Sequence, residues 1–150
     1  MCRQATLVLP ARSDAPHRAR GFLREHLLRW ELIPPGPSAL LDDAALALSE
    51  LVTNGVRHGE GPLEVGIEHR DDTIYLRVRD SGGCVVPMQP VPAAPTAVSG
   101  RGLLIIAALS VAWGVVYERF GKSVWCRMSV DRALAASEVT PRRAGPRGGR

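Results

Sequence analysis

The spacing of apolar residues predicts two amphipathic helices in the N-terminal half of the chain. In residues 15–31 apolar side chains recur every three or four positions, and Asp14 stands at the expected N-cap. In residues 38–57 a longer apolar stripe follows Ser38, which is a favoured N-cap residue, and Gly59 ends it. The stripes consist of Phe22, Leu23, Leu27 and Trp30 in the first helix, and of Leu41, Ala45, Leu48, Val52 and Val56 in the second.

Alternation of apolar and polar residues predicts five strands, and a short apolar run predicts a third helix. Two alternating segments flank Asp71 and Asp72, and two more flank Gly121, so two hairpins are expected. In the last strand, alternation places Ser123 and Val124 on opposite faces. The predicted strands are residues 5–9, 63–68, 74–79, 111–118 and 122–130, and the third helix is residues 102–109.

The order of these elements indicates the fold class. Strands that form contiguous hairpins, with the helices grouped apart from them, predict an α+β two-layer sandwich with helices on one face of a mostly antiparallel sheet. Residues 80–101 lack any period and are rich in Gly and Pro, so a mobile loop is expected there. We expect one domain over residues 1–136, and residues 137–150 form an Arg-rich tail that we expect to be disordered.

Composition and charge narrow the class of partner. The 150 residues are 45% hydrophobic, which suits one domain with one core. The net charge of +4 suggests nucleic acid, but the last ten residues hold four Arg and no acidic residue, and without them the charges balance. Aromatic residues make up only 5% of the chain, too few for a base-stacking surface. A nucleic-acid binder is therefore the weakest class.

Cysteine usage and hydropathy exclude further classes. Cys2, Cys84 and Cys126 are odd in number and far apart, so neither a disulfide framework nor a structural zinc site is expected. The longest apolar run, residues 103–116, is too short and too interrupted for a membrane span, and the N-terminus has no signal-peptide core. We expect a cytoplasmic protein.

The first candidate for chemistry lies on the polar face of the second predicted helix. Glu50, Thr53, Asn54 and Arg57 are spaced by three and four residues and share this face. A carboxylate and an amide one turn apart can hold a divalent cation and polarise a hydroxyl group. The same spacing is also typical of the solvated face of an amphipathic helix.

The second candidate is the segment Asp80-Ser81-Gly82-Gly83, which directly follows a predicted strand. Its glycines allow close approach to a flat ligand, and Asp80 can accept a hydrogen bond from an exocyclic amine such as that of adenine. Asp-Ser-Gly is also an ordinary turn sequence.

The third candidate is Ser99-Gly100-Arg101-Gly102, which precedes the third predicted helix. Free backbone N–H groups and the helix dipole at such a start suit a phosphate, and Arg101 would add positive charge. A flexible helix start is the alternative interpretation. The segment is too short for a dinucleotide fingerprint, and the chain has no P-loop sequence.

The order of the three motifs resembles the ATP-binding family of histidine kinases, gyrase, Hsp90 and MutL. Within it the chain is most similar to the small bacterial anti-sigma-factor serine kinases. Residues 49–59 (SELVTNGVRHG) resemble the N-box, and residues 78–82 (VRDSG) and 99–103 (SGRGL) resemble the two glycine boxes. Trp113-Gly114 and residues 121–125 (GKSVW) are also typical of the small members.

The resemblance implies a role for each matching residue. Asn54 would coordinate Mg²⁺ on the ATP phosphates, and Glu50 would be the general base that activates a serine hydroxyl of a protein substrate. Asp80 would bind the adenine amino group with Gly82 against the ring. Ser123 stands where a hydroxyl residue often reaches adenine through water. Phosphate would be held by Gly100, Arg101 and Gly102.

Two hypotheses remain open at this stage. In the first, the protein is an ATP-dependent serine kinase that phosphorylates an anti-sigma-factor antagonist and sequesters a sigma factor; Glu50 favours it. In the second, the same fold is a binding module with ATP as a structural ligand; Cys84 in place of a second glycine, and the short Pro-rich segment after it, favour that.

Two further expectations concern architecture. A sensor histidine kinase would need a phosphoacceptor helix pair before the ATP domain, and too few residues precede the N-box helix for one. The relatives are often homodimers, and Leu27 or Trp30 would suit such an interface, although ordinary core packing explains these two residues equally well.

Overall fold

A computed structural model describes residues 1–81 and 100–131, and all structural statements concern these residues. The strands and helices follow one another in the order predicted, with the first strand beginning at Cys2 and the first helix ending at Arg29. The elements are β1 (Cys2–Leu9), α1 (Ala15–Arg29), α2 (Ala39–His58), β2 (Leu63–Arg70), β3 (Thr73–Asp80), α3 (Gly100–Leu109), β4 (Ala112–Glu118) and β5 (Gly121–Ser129).

The strands form one antiparallel sheet in the order β1-β2-β3-β5-β4. Strands β3 and β5 therefore lie side by side, although α3 and β4 separate them in sequence. Apolar side chains of α1, α2 and α3 join those of the sheet in a single core. The predicted α+β two-layer sandwich is confirmed. Its central helix is α2, which contacts α1, α3 and strands β2, β3 and β5.

The helix starts follow capping chemistry in one case and not in the other. Ser38 Oγ accepts a hydrogen bond from the backbone N–H of Leu41 at 3.2 Å, as predicted for the start of α2. Asp14 is the N-cap residue of α1, as predicted, but its backbone angles are helical and its side chain makes no capping hydrogen bond to the described residues. Pro16 in the first turn supplies the fixed backbone angle there instead.

The face of the sheet opposite the helices is lined by polar and aromatic side chains. Tyr75 and Trp125 stack with their ring centroids 5.2 Å apart. Arg77 and Glu64 form an exposed ion pair at 3.0 Å, which contributes about 0–1 kcal/mol. The helix layer therefore covers the other face of the sheet, which packs against α1 and α2. Within the described residues no helix is long and apolar enough to cross a membrane.

The buried thiol of Cys126 allows a direct test of this core. Cys126 is fully buried, and burial raises the pKa of its thiol to about 11, whereas Cys2 is exposed. In a variant with Cys2 and Cys84 replaced by serine, a thiol reagent at pH 8 should react only after denaturant is added. The unfolded thiol ionises at a lower pH than the folded one, so the free energy of unfolding should fall as pH rises towards 11. Rapid labelling of the native variant would contradict this packing.

Candidate nucleotide-binding site

Glu50 and Asn54 lie one turn apart on α2, as the sequence predicts. Glu50 is half-buried, whereas Asn54 is only 8% exposed. The amide oxygen Oδ1 of Asn54 is buried and accepts no hydrogen bond from the described residues. An unsatisfied buried polar atom costs roughly 1–3 kcal/mol, so this oxygen is suited to a partner beyond the described residues, such as a bound ligand.

Asp80 ends β3 beneath the C-terminus of α2 and is only 6% exposed. A β-carbon added at Gly59 would lie 2.8 Å from the β-carbon of Asp80. On the side of β5, a β-carbon added at Gly121 would lie 2.0 Å from the Asp80 carbonyl oxygen. Two glycines therefore enclose Asp80 and leave no room for a side chain at either position.

A third close approach holds α2 on the sheet. A β-carbon at Gly55 would lie 2.9 Å from a methyl group of Leu63 in β2. Gly55 and Gly59 are one turn apart and form a stripe that faces the sheet. Asn54 adjoins this stripe, so the close packing brings the end of α2 that carries Asn54 over the end of β3 that carries Asp80. Sequence reasoning identified Gly59 only as a helix stop; the four-residue spacing of the two glycines was the available signal.

The strand register separates Ser123 from Asp80. Asp80 is opposite Lys122 across the β3–β5 pair, and Ser123 is opposite Arg79. Residues directly opposite in an antiparallel pair share a face, and alternate residues face opposite sides. Lys122 therefore lies on the helix-covered face with Asp80, and Ser123 lies on the other face. There Ser123 is 3% exposed, and its hydroxyl is buried without a partner among the described residues.

The remaining candidates lie at the start of α3 or outside the described residues. Helix α3 begins at Gly100, so Gly100, Arg101 and Gly102 form its first turn instead of preceding it. Arg101 is exposed and Gly102 is buried. Because α3 packs against α2, this helix start is carried by the same helix layer as Asn54. Gly82, Cys84 and the rest of the segment 82–99 lie outside the described residues, as does the tail 137–150.

The side-chain oxygens of α2 suit a cation that takes few ligands from the protein and most of them from phosphate and water. Within residues 1–81 and 100–131 no three His, Cys, Asp or Glu side chains are grouped as a metal site. Mg²⁺ commonly takes one or two protein oxygens and completes its shell with phosphate and water. The oxygen of Asn54, which is buried and accepts no hydrogen bond within the described ranges, fits this pattern as a single protein ligand.

The fold is thus a helix layer packed on an antiparallel sheet, and α2 carries an acid and an amide one turn apart over a buried aspartate. The sequence of residues 9–129 matches the family model of the histidine kinase-like ATPase domain, and the chain belongs to this family.

One solved structure with the same fold is that of the RsbU and RsbW domains of Rv1364c from Mycobacterium tuberculosis. It superposes with a TM-score of 0.62 at 21% sequence identity, and the match covers 85% of this chain and 32% of that one. The present chain thus corresponds to about a third of that longer protein, and the likeness shows the shared fold. No curated protein gave a match to this chain.

Proposed function

We propose that this protein binds ATP and Mg²⁺ and transfers the γ-phosphate to a serine of an anti-sigma-factor antagonist, so that it controls transcription by partner switching. The observation that carries the proposal is the buried amide oxygen of Asn54, which has no partner among residues 1–81 and 100–131 and lies one turn from Glu50, on the end of α2 that packs over Asp80. Structural packing alone does not account for this oxygen, because leaving it unsatisfied is unfavourable.

Each side chain has a defined task in this proposal. Asn54 Oδ1 ligates the cation, and Asp80 accepts a hydrogen bond from the adenine amino group. Glu50 takes the proton of the serine hydroxyl. The serine oxygen then forms a bond to the γ-phosphorus, while the bond between the γ-phosphorus and the β-phosphate oxygen breaks and ADP leaves. The cation supplies charge neutralisation on the phosphates. The phosphates are held by Gly100, Arg101 and Gly102, and Gly82 packs on the base.

Ser123 is left out of this set, because its side chain lies on the opposite face of the sheet from Asp80. The proposed partners are a sigma factor and an antagonist protein in the cytoplasm, and the active form is a homodimer. Support for them comes from the N-box and glycine-box resemblance and from the fold shared with a solved protein that contains an RsbW domain. Neither nucleic acid nor a membrane is among the proposed partners.

Asp80→Asn is the variant that tests nucleotide binding. The amide removes the charged acceptor, and a hydrogen bond to a charged group contributes about 1.5–3 kcal/mol, so ATP affinity should fall roughly 10- to 100-fold. Isothermal titration calorimetry with MgATP measures it. Glu64→Gln, which also replaces a carboxylate by an amide but on the uncovered face, is the matched control and should bind ATP like the unsubstituted protein. Equal affinity for Asp80→Asn would exclude a contribution of the Asp80 charge to adenine binding, because the amide oxygen of asparagine is still an acceptor.

The second candidate function is a binding module in which ATP serves only as a structural ligand. Cys84, in place of the second glycine of the first glycine box, is the observation that favours it. Both functions require nucleotide binding, and only the kinase requires Glu50 to act as a base. A Glu50→Gln variant therefore separates them.

A further inference from the structure

The only lysine of the chain lies beside the proposed adenine-binding carboxylate. Lys122 and Asp80 are direct partners across the antiparallel β3–β5 pair, so their side chains project from the same face of the sheet. That face also carries the core residues Val78 and Val124, which form the next β3–β5 pair on the same side of the sheet. Lys122 is half-buried.

The backbone around Lys122 limits how far the lysine can move from Asp80. Gly121, its neighbour, adopts a φ of 143° and lies so close to the Asp80 carbonyl that a β-carbon would not fit. On its other side Lys122 pairs with Tyr117 of β4, so it lies within the sheet and not in a loose terminus. The stem of Lys122 therefore begins at a position held against β3.

A lysine at this position differs chemically from a hydroxyl residue. A hydroxyl group can donate or accept, whereas an ammonium group only donates. Asp80 as a carboxylate only accepts. The exocyclic amine of adenine is a donor flanked by ring nitrogens that are acceptors, so an acceptor beside a donor on the protein matches that edge of the base.

We infer that Lys122 is a specificity-determining residue that donates a hydrogen bond to the ring nitrogen beside the adenine amine, while Asp80 accepts from the amine itself. This inference rests on the proposed function and names a residue of its base-binding end. In this chain the ammonium group takes the place of a hydroxyl and its water.

Lys122→Met tests this contact, because it removes the ammonium group and keeps an unbranched stem. Affinities for MgATP, adenosine, 1-deaza-ATP and 7-deaza-ATP are measured by calorimetry. The substitution should weaken ATP and adenosine alike, roughly tenfold or more, since the contact is with the base. One of the two deaza analogues lacks the nitrogen that accepts from Lys122. For that analogue the substitution should change the affinity by less than twofold. Lys122→Gln, which retains an N–H donor, should restore part of the affinity.

Ser123→Ala is the matched control on the opposite face, and it should leave all four affinities unchanged. Adenosine should also protect Lys122 from an amine-acylating reagent, as followed by mass spectrometry. If Lys122→Met loses affinity for ATP but not for adenosine, the ammonium group contacts the phosphates and the inference is overturned. So would an equal loss for both deaza analogues. If the unsubstituted protein binds neither ATP nor adenosine, the proposed function fails with it; if it binds both and Lys122→Met binds equally, only this inference fails.

Discussion

Glu50→Gln should lower phosphate transfer from ATP to a protein serine by about 10²- to 10⁴-fold, the usual contribution of a general base. Glutamine has nearly the same shape as glutamate and cannot take a proton. Asn54 and Asp80 remain in place, so MgATP affinity should stay within about twofold, since the change removes no proposed contact to the nucleotide. This split between transfer and binding separates a base from a residue that only positions the nucleotide.

The measurement uses labelled ATP, Mg²⁺ and candidate antagonist proteins, with single-turnover rates compared between the two proteins. Glu60→Gln, the same change at an exposed position just beyond α2, is the control and should transfer at the unsubstituted rate. Equal rates for Glu50→Gln would remove Glu50 from the chemistry. If the unsubstituted protein binds ATP and labels no antagonist, the kinase proposal is wrong and the binding module is supported.

Gly121→Ala should lower the free energy of unfolding by roughly 3–5 kcal/mol. The φ of 143° is unfavourable for alanine, and the new β-carbon would lie 2.0 Å from the Asp80 carbonyl oxygen, which is backbone and has little freedom to move. The β4–β5 turn and the end of β3 would have to separate. Because Asp80 moves with that strand end, ATP affinity should fall as well.

Urea denaturation followed by circular dichroism measures the change, and Gly66→Ala is the control. A β-carbon at Gly66 in β2 would meet only the flexible side chain of Arg77, at 3.6 Å or more. That variant should be neutral or slightly more stable, since alanine has less backbone entropy to lose on folding. Similar losses at the two positions would show that the close approach at Gly121 is not what limits stability.

Local patterns in the sequence determined much of the fold. The stripes of α1 and α2 and the alternation in the hairpins are periodic over many residues, so the element types and their order were predictable. The N-box and glycine boxes likewise placed Glu50, Asn54 and Asp80 on their elements. Asp14 was correctly placed at the N-cap of α1, but a cap residue type permits a capping hydrogen bond and does not require one, and the Asp14 side chain makes none to the described residues.

The pairing of β3 with β5 is where local patterns were insufficient. Alternation alone showed that Ser123 and Val124 face opposite ways, but it did not show which face Asp80 shares. That depends on register between strands separated by more than 40 residues, and a shift of one residue would exchange Lys122 for Ser123 beside Asp80. The role of Gly55 and Gly59 was likewise not predictable from local patterns, because the close approach of these glycines to the sheet exists only once α2 is packed on it.

The sequence by itself determined the class of the domain, the element order and the residue types available to nucleotide and cation, because these follow from spacing along one chain. Only the tertiary structure decided that Asn54 Oδ1 is buried with no partner in the described part of the chain, that two glycines enclose Asp80, and that Lys122 is the residue beside it. The physical reason is that burial, close approach and strand register arise from contacts between elements distant in sequence, which no local periodicity specifies.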